Sequence, residues 1–319
     1  MEHLLKNHIK RKTNPELFNL KKYKTINVKK LAAGCYNINY LVKINSKHYV
    51  FRINVHRDAF EGGNLEKEFA TLKKLNGFHS PKVFLLDKKF KHPLIVEEFI
   101  KGNKISKLSN SLVKKIAKAL AEIHLAFSSK KRKPKSIKNK YISRFNKRLK
   151  LIRKNKKMFD TLSAYANKAK KYLDKKDLFF QKHAKNVFSH GDMHCGNIIL
   201  RNGKVFFTDW ENSKFDDPAF DIVAFFYESE NLQYFNEKNS ISAAHKRLFL
   251  KEYLKINPDK HLRGKIDIIY PLRWLSDTLW LACRIVDYED IPKGLRGKLK
   301  EEYLTLYKFN LTKLKQMWK

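Results

Sequence analysis

The clearest pattern in the chain is the alternation of apolar and polar residues between Ile26 and Val55. INVKKLAAGCYNINYLVKI followed by KHYVFRINV reads as three strands, broken at Ala33-Gly34 and at Asn45-Ser46. The period then changes. In NLEKEFATLKKLNG the apolar residues Leu65, Phe69, Leu72 and Leu75 share one helical face, and Gly77 stands where such a helix ends. Two more strands follow, over 82–86 and 94–99. Residues 26–99 therefore predict an antiparallel-type sheet with one helix, and the polar, basic residues 1–25 predict a short leading helix and linker. From 100 to 319 the pattern is mainly helical. Ser111–Ala126 has apolar residues at helical spacing, helices continue to about Lys185, strands return over 187–208, and helices resume from 219. No internal repeat interrupts this order. The expected fold class is α+β, with a small sheet-rich lobe ahead of a larger helical one.

Composition narrows the class. The 319 residues carry 43% hydrophobic and 13% aromatic side chains, which excludes a mostly disordered chain. No apolar run reaches the roughly 18 residues of a membrane span, and MEHLLKNHIKRK lacks the apolar core of a signal peptide. Cys35, Cys195 and Cys283 are too scattered for a disulfide framework or a zinc module. The expected location is cytoplasmic. With 69 Lys and Arg against 31 Asp and Glu, the formal charge is +38. Residues 130–157 hold 15 of those cations and no acid. Tyr141, Phe145, Leu149 and Ile152 recur at helical spacing there, so this basic insertion (about 128–160) reads as a helix rather than low-complexity chain. Its charges form either a solvated face or a docking surface for nucleic acid or an anionic membrane.

Chemistry concentrates in FSHGDMHCGNIILRNGKVFFTDW, residues 188–210. Asn202-Gly203 is a strong two-residue hairpin signal. That turn pairs Arg201 with Lys204, Ile199 with Phe206, and Asn197 with Thr208. It sets Asn197 beside Asp209, with Asp192 on the loop entering the hairpin. An Asn and an Asp offer oxygen ligands to a hard cation such as Mg²⁺, while a second Asp can take a hydroxyl proton. The spacing H-x-D-x-x-x-x-N with a later Asp is a phosphoryl-transfer arrangement.

At these residues the chain resembles the aminoglycoside phosphotransferase and choline kinase superfamily, whose fold is bilobal and protein-kinase-like. The resemblance rests on His190, Gly191, Asp192, His194 and Asn197, and on DWENSKFDDPAFDIVAFF, which Asp209 opens and in which Asp221 is the later structural acid. Ala33-Gly34, Asn37 and Tyr40 are similar to the nucleotide-loop signature, and PLIVEEFIKG, with Glu97 and Phe99, to the hinge that receives adenine. The resemblance implies an ATP- and Mg²⁺-dependent kinase in which Asp192 is the catalytic base, Asn197 and Asp209 hold Mg²⁺, and His190 braces the loop. His194 has no assigned role. Arg52 takes the position of the phosphate-binding Lys of protein kinases, with an always-charged fork of donors. On the following helix Glu68 falls on the inward face and Glu66 outside it, so Glu68 is the expected partner of Arg52.

Gly191 in place of the HRD Arg, Trp210-Glu211 after Asp209, and the absence of an APE motif argue against a regulated protein kinase. A small-molecule kinase is expected, with Trp210 and Glu211 as candidate substrate contacts. In PLRWLSDTLWLACRIVDY, Arg273, Asp277, Trp280, Arg284 and Asp287 form a stripe that Trp274 cannot join. Asp277 and Trp280 suit an ammonium group, although Arg273–Asp277 also reads as an ordinary i,i+4 pair. The wording is closer to choline and ethanolamine kinases, so an amino-alcohol is the first acceptor. An aminoglycoside or sugar is the alternative within enzymes, and a kinase-like RNA- or lipid-binding protein the alternative outside them.

Overall fold

The five strands predicted between residues 26 and 99 form one antiparallel sheet. In chain order they are β1 (Ile26–Ala33), β2 (Asn37–Ile44), β3 (Lys47–Asn54), β4 (Val83–Asp87) and β5 (Leu94–Glu98). Their spatial order is β1-β2-β3-β5-β4. The computed structural model describes residues 1–33, 37–55, 65–129, 136–230, 240–291, 296 and 298–319. Its residues divide into two units, one built mainly from Met1–Lys104 and Asn197–Ser213, the other from Ile105–Gly196, Lys214–Ile291 and Lys298–Lys319.

In the first unit, α1 (Glu2–Lys12) and the turn after it are more than a leader. Leu5, Ile9 and Phe18 are fully buried in one core with Val42, Ile44, Phe51 and Ile53 of the sheet. The helix predicted after β3 is α2 (Leu65–Leu75), whose buried residues include Leu65, Leu72 and Leu75; it ends ahead of Gly77, at φ +81. A short strand β6 (Asn103–Lys104) pairs with the later hairpin of β8 (Ile198–Arg201) and β9 (Lys204–Phe207). The sequence pattern groups this hairpin with the helical residues. It belongs instead with the first unit, because its side chains and backbone bond there: His79 Nδ1 to the Val205 carbonyl (2.8 Å), the Phe207 N–H to the His79 carbonyl (2.8 Å), and Arg201 to Glu98 (2.8 Å).

The second unit is helical, with α3 (Asn110–Ala126), α4 (Ile137–Ile152), α5 (Lys156–His183), α6 (Ala219–Glu230), α7 (Ala243–Ile256), α8 (Leu262–Val286) and α9 (Lys300–Met317). Between α5 and α6, β7 (Val187–Ser189) pairs with β10 (Lys214–Asp216). Helix α8 starts well before the predicted segment and carries Pro271 inside it. No helix among the described residues is long and apolar enough to cross a membrane.

The basic insertion forms α4 and the start of α5; residues 130–135 of it lie outside the described residues. Tyr141, Phe145 and Ile152 bury one face. Several of its cations are engaged within the unit. Lys140 bonds Asp216 and sits over the Phe220 ring, 3.3 Å from its centroid. Arg148 Nη1 donates to the Ser276 carbonyl (2.5 Å) and hydroxyl (2.8 Å) of α8, and Lys138 and Lys154 pair with Asp174 (2.6 Å) and Asp287 (2.8 Å). Burial pushes the Lys140 amine down to about 8. Part of this segment's charge is thus spent on fastening α4 to its own unit.

Candidate functional site

The hairpin forms as its turn residues require. Asn202 and Gly203 have φ of 51° and 75°, both in the left-handed region that a two-residue turn needs. Arg201 pairs with Lys204 and Ile199 with Phe206. The Thr208 N–H donates to the Asn197 carbonyl at 2.9 Å, so Asn197 and Asp209 stand one residue apart across the ribbon. Asp209 has φ +66, a strained conformation for a residue with a Cβ. The Trp210 N–H that follows is held by Glu68 at 3.1 Å.

Arg52, on β3, is the hub of the first unit's polar cluster. Its Nε lies 3.1 Å from Glu68, and its Nη2 lies 2.6 Å from Asp209 and 3.1 Å from Glu211. Glu66 is exposed and pairs with Lys88 instead. Asn37 donates to Glu211 at 2.7 Å and accepts from Asn54 at 3.0 Å. Glu97 faces the same cluster, because Val50 lies opposite it in the β3–β5 register and Arg52 shares Val50's side of the strand. Burial opposes the Arg52 charge, and Asp209, Glu68, Glu211 and Glu97 more than offset it, so the guanidinium stays ionised. The acids do less well. Burial pushes Glu97 up to about 7 and raises Glu68 and Glu211, with Arg52 only partly compensating.

Four carboxylates around one guanidinium leave this cluster short of positive charge. Asp209 and Asn197 present oxygen donors, the chemistry a hard divalent cation takes, so the residues fit Mg²⁺. Among the described residues no group of three or more His, Cys, Asp and Glu forms a cage for a metal.

Two of the expected substrate contacts sit differently. Trp210 is fully buried, and its indole N–H donates to the Phe207 carbonyl at 2.8 Å, so it is a core residue rather than a wall open to a ligand. Glu211 belongs to the Arg52 cluster. Phe99 is half-buried just after β5, its ring 6.1 Å from His48. Tyr40 is buried in the core, and Gly34 lies outside the described residues.

In the second unit the loop carrying Asp192 is tied down by Asp221, at the start of α6. Asp221 accepts from the backbone N–H of His190 (2.7 Å) and Gly191 (2.8 Å) and from His124 Nε2 (3.1 Å). His124 is itself fixed by Tyr253, 2.8 Å away. The ring of His190 is buried, and its Nδ1 accepts the Asp192 N–H at 3.2 Å. The Asp192 side chain is 33% exposed, with His194 Nε2 3.7 Å away. Burial works to raise the Asp192 carboxyl, but the neighbouring His194 and the charge of Arg273 bring it down to about 2. A carboxylate that is ionised and partly open can accept a proton from a hydroxyl.

The polar stripe of α8 is present and largely self-paired. Arg273 bonds Asp277 (2.5 Å) and also Glu228 of α6 (2.9 Å), its guanidinium 5.3 Å from the Tyr227 ring centroid. Trp280 packs edge-on to Tyr303 at 6.0 Å, with the Arg284 guanidinium 5.8 Å from its centroid. Trp274 is fully buried. Both features expected to hold an ammonium group therefore already face a guanidinium. Two residues near this stripe were not legible in the sequence, Glu228, which burial pushes up to about 7, and Arg148; nor was His124, which holds Asp221. The one available signal was a carboxylate inside the apolar run of α6.

A family profile described as a phosphotransferase enzyme family matches residues 27–246. The "Protein LicA homolog" of Metamycoplasma hominis is 30% identical over 187 residues, covering 58% of this chain and 68% of that protein. Among solved structures, choline kinase from Cryptosporidium parvum superposes with a TM-score of 0.70 at 17% identity, over 99% of this chain and 96% of that one. Choline kinase LicA from Streptococcus pneumoniae does so with a TM-score of 0.66 at 21% identity, over 99% of both chains. The α+β fold is the one these kinases share.

Proposed function

The chain belongs to the phosphotransferase enzyme family and is a small-molecule kinase, and from that premise we propose that it transfers the γ-phosphoryl group of ATP to the hydroxyl of an amino-alcohol such as choline or ethanolamine. The observation that carries phosphoryl transfer is the buried Arg52 cluster, which combines a fixed guanidinium with an excess of carboxylates. Arg52 and Asn37 orient the phosphates, with Glu97 and Phe99 on the strand end that takes the adenine. Bound at Asn197 and Asp209, Mg²⁺ would neutralise phosphate charge. Asp192 orients the acceptor hydroxyl and takes its proton as the new O–P bond forms and the bond to the ADP oxygen breaks. Catalysis on this reading is mainly positioning and charge stabilisation.

The amino-alcohol is supported by the choline kinases that share the fold, and by Glu228 and Asp277 beside Tyr227 and Trp280. One observation favours a second reading, an uncharged acceptor such as a sugar: Arg273 and Arg284 already occupy those anionic and aromatic groups. The test is ADP release with Mg-ATP against choline, ethanolamine, aminoglycosides and sugars, with Asp192→Ala as control. Turnover on choline or ethanolamine that disappears in the variant supports the first reading. Turnover on sugars alone replaces it with the second.

A further inference from the structure

Helix α5 carries a face that phosphoryl transfer leaves unused. Counting about 100° per residue, Lys171, Lys182 and Lys175 fall between Leu178 and Phe179 on one stripe, and all five are exposed. Leu178 is 80% exposed, the most of any large hydrophobic side chain among the described residues. Phe179 is 37% exposed and rests against the start of α8, where a Cβ on Gly264 would meet its ring at 3.3 Å. His183 and His261 stack at 3.6 Å, which brings the exposed Lys182 and Lys260 to the same place.

The acids of this part of α5 border the stripe on its Leu178 side, Asp174 about 40° and Asp177 about 100° from Leu178, and both are engaged by α4 and the residue before it. Asp174 pairs with Lys138 at 2.6 Å, and Asp177 accepts from the Ser136 hydroxyl (2.7 Å) and the Lys138 N–H (3.1 Å). The outer stripe is left cationic, with two apolar side chains projecting through it.

We infer that this stripe docks on an anionic lipid bilayer. The lysines meet the headgroup phosphates, while Leu178 and Phe179 leave water for the edge of the acyl region. The chain's +38 charge adds long-range attraction to such a surface. A nucleic acid would satisfy the lysines equally but offers Leu178 no apolar phase. A second copy would set the same positive stripe against itself.

The experiment is co-sedimentation of the full chain with vesicles of phosphatidylglycerol and phosphatidylcholine, and of phosphatidylcholine alone, across a salt series. Binding is expected only to the anionic vesicles and only at low to moderate salt. Reversing Lys171, Lys175 and Lys182 to Glu should lower partitioning by at least about a hundredfold. Leu178→Ser should lower it about tenfold. Circular dichroism and thermal melts should show both variants folded as the parent. Equal binding to uncharged vesicles, no binding at all, or partitioning indifferent to Leu178→Ser overturns the inference. So does a dimer that Leu178→Ser dissociates, or RNA binding that the Glu variant abolishes while vesicle binding persists.

Discussion

Glu66 and Glu68 stand two positions apart on α2 and do opposite things. Helical geometry turns Glu68 inward, where it holds Arg52 and the Trp210 N–H, and leaves Glu66 in water with Lys88. Glu68→Ala should therefore cost about 2–4 kcal/mol of stability, since it strands buried donors. Glu66→Ala should stay within about 0.5 kcal/mol. Urea unfolding of the two variants measures the difference directly. At the proposed base, Asp192→Asn keeps the shape and removes the acceptor. Turnover should fall on the order of 10²–10⁴-fold, with Mg-ATP affinity held within about twofold. Parallel loss of both in ADP-release and nucleotide-binding assays would return Asp192 to a structural role. Which glutamate faces inward was legible from α2 alone. The burial of Trp210 was not, because a Trp beside two acids reads the same whether its indole is solvated or packed on the Phe207 carbonyl.

The hairpin of β8 and β9 is the element most fully written in local sequence. Its turn demands positive φ at two positions, and Asn-Gly meets that demand cheaply. Gly203→Val should cost about 1–2 kcal/mol through that φ. It should also weaken Mg-ATP binding, because Asn197 and Asp209 flank the two strands of the hairpin. A thermal melt with a nucleotide titration checks both. Helix α4 is the opposite case. Its amphipathic spacing was readable, but the inward turn of Lys140 and Arg148 was not, because a helix wheel cannot say which neighbour waits at each position. Arg148 anchors α4 to Ser276 of α8, one residue from Asp277. Arg148→Ala should raise the acceptor KM about tenfold while leaving the ATP KM unchanged, as acceptor-varied kinetics would show.

For the whole molecule, the acid limb of stability is a sensitive readout. Burial alone would raise the Asp221 carboxyl, but the hydrogen bond and charge of His124, with the Gly191 N–H, hold it at about 2 against an ordinary 3.8. A depressed carboxylate stabilises the fold in full above its unfolded value and loses that contribution as pH falls through its folded one. About 2 kcal/mol should therefore disappear between roughly pH 4 and pH 2. Asp221→Asn should be less stable at neutral pH and show a flatter acid limb in urea titrations. The sequence by itself determined the order of strands and helix over residues 26–99 and the hairpin of β8 and β9. Those follow from periodicity and turn chemistry over a few residues, where the backbone leaves little choice. Tertiary structure alone decided that Arg52 gathers Glu211 as well as Glu68 and Asp209, that guanidinium groups already face Asp277 and Trp280, and that the basic helix spends part of its charge inward. Each of these depends on burial and on side chains far apart in the chain, 157 residues in the case of Arg52 and Asp209. Such pairings are selected by packing and desolvation, which no local pattern encodes.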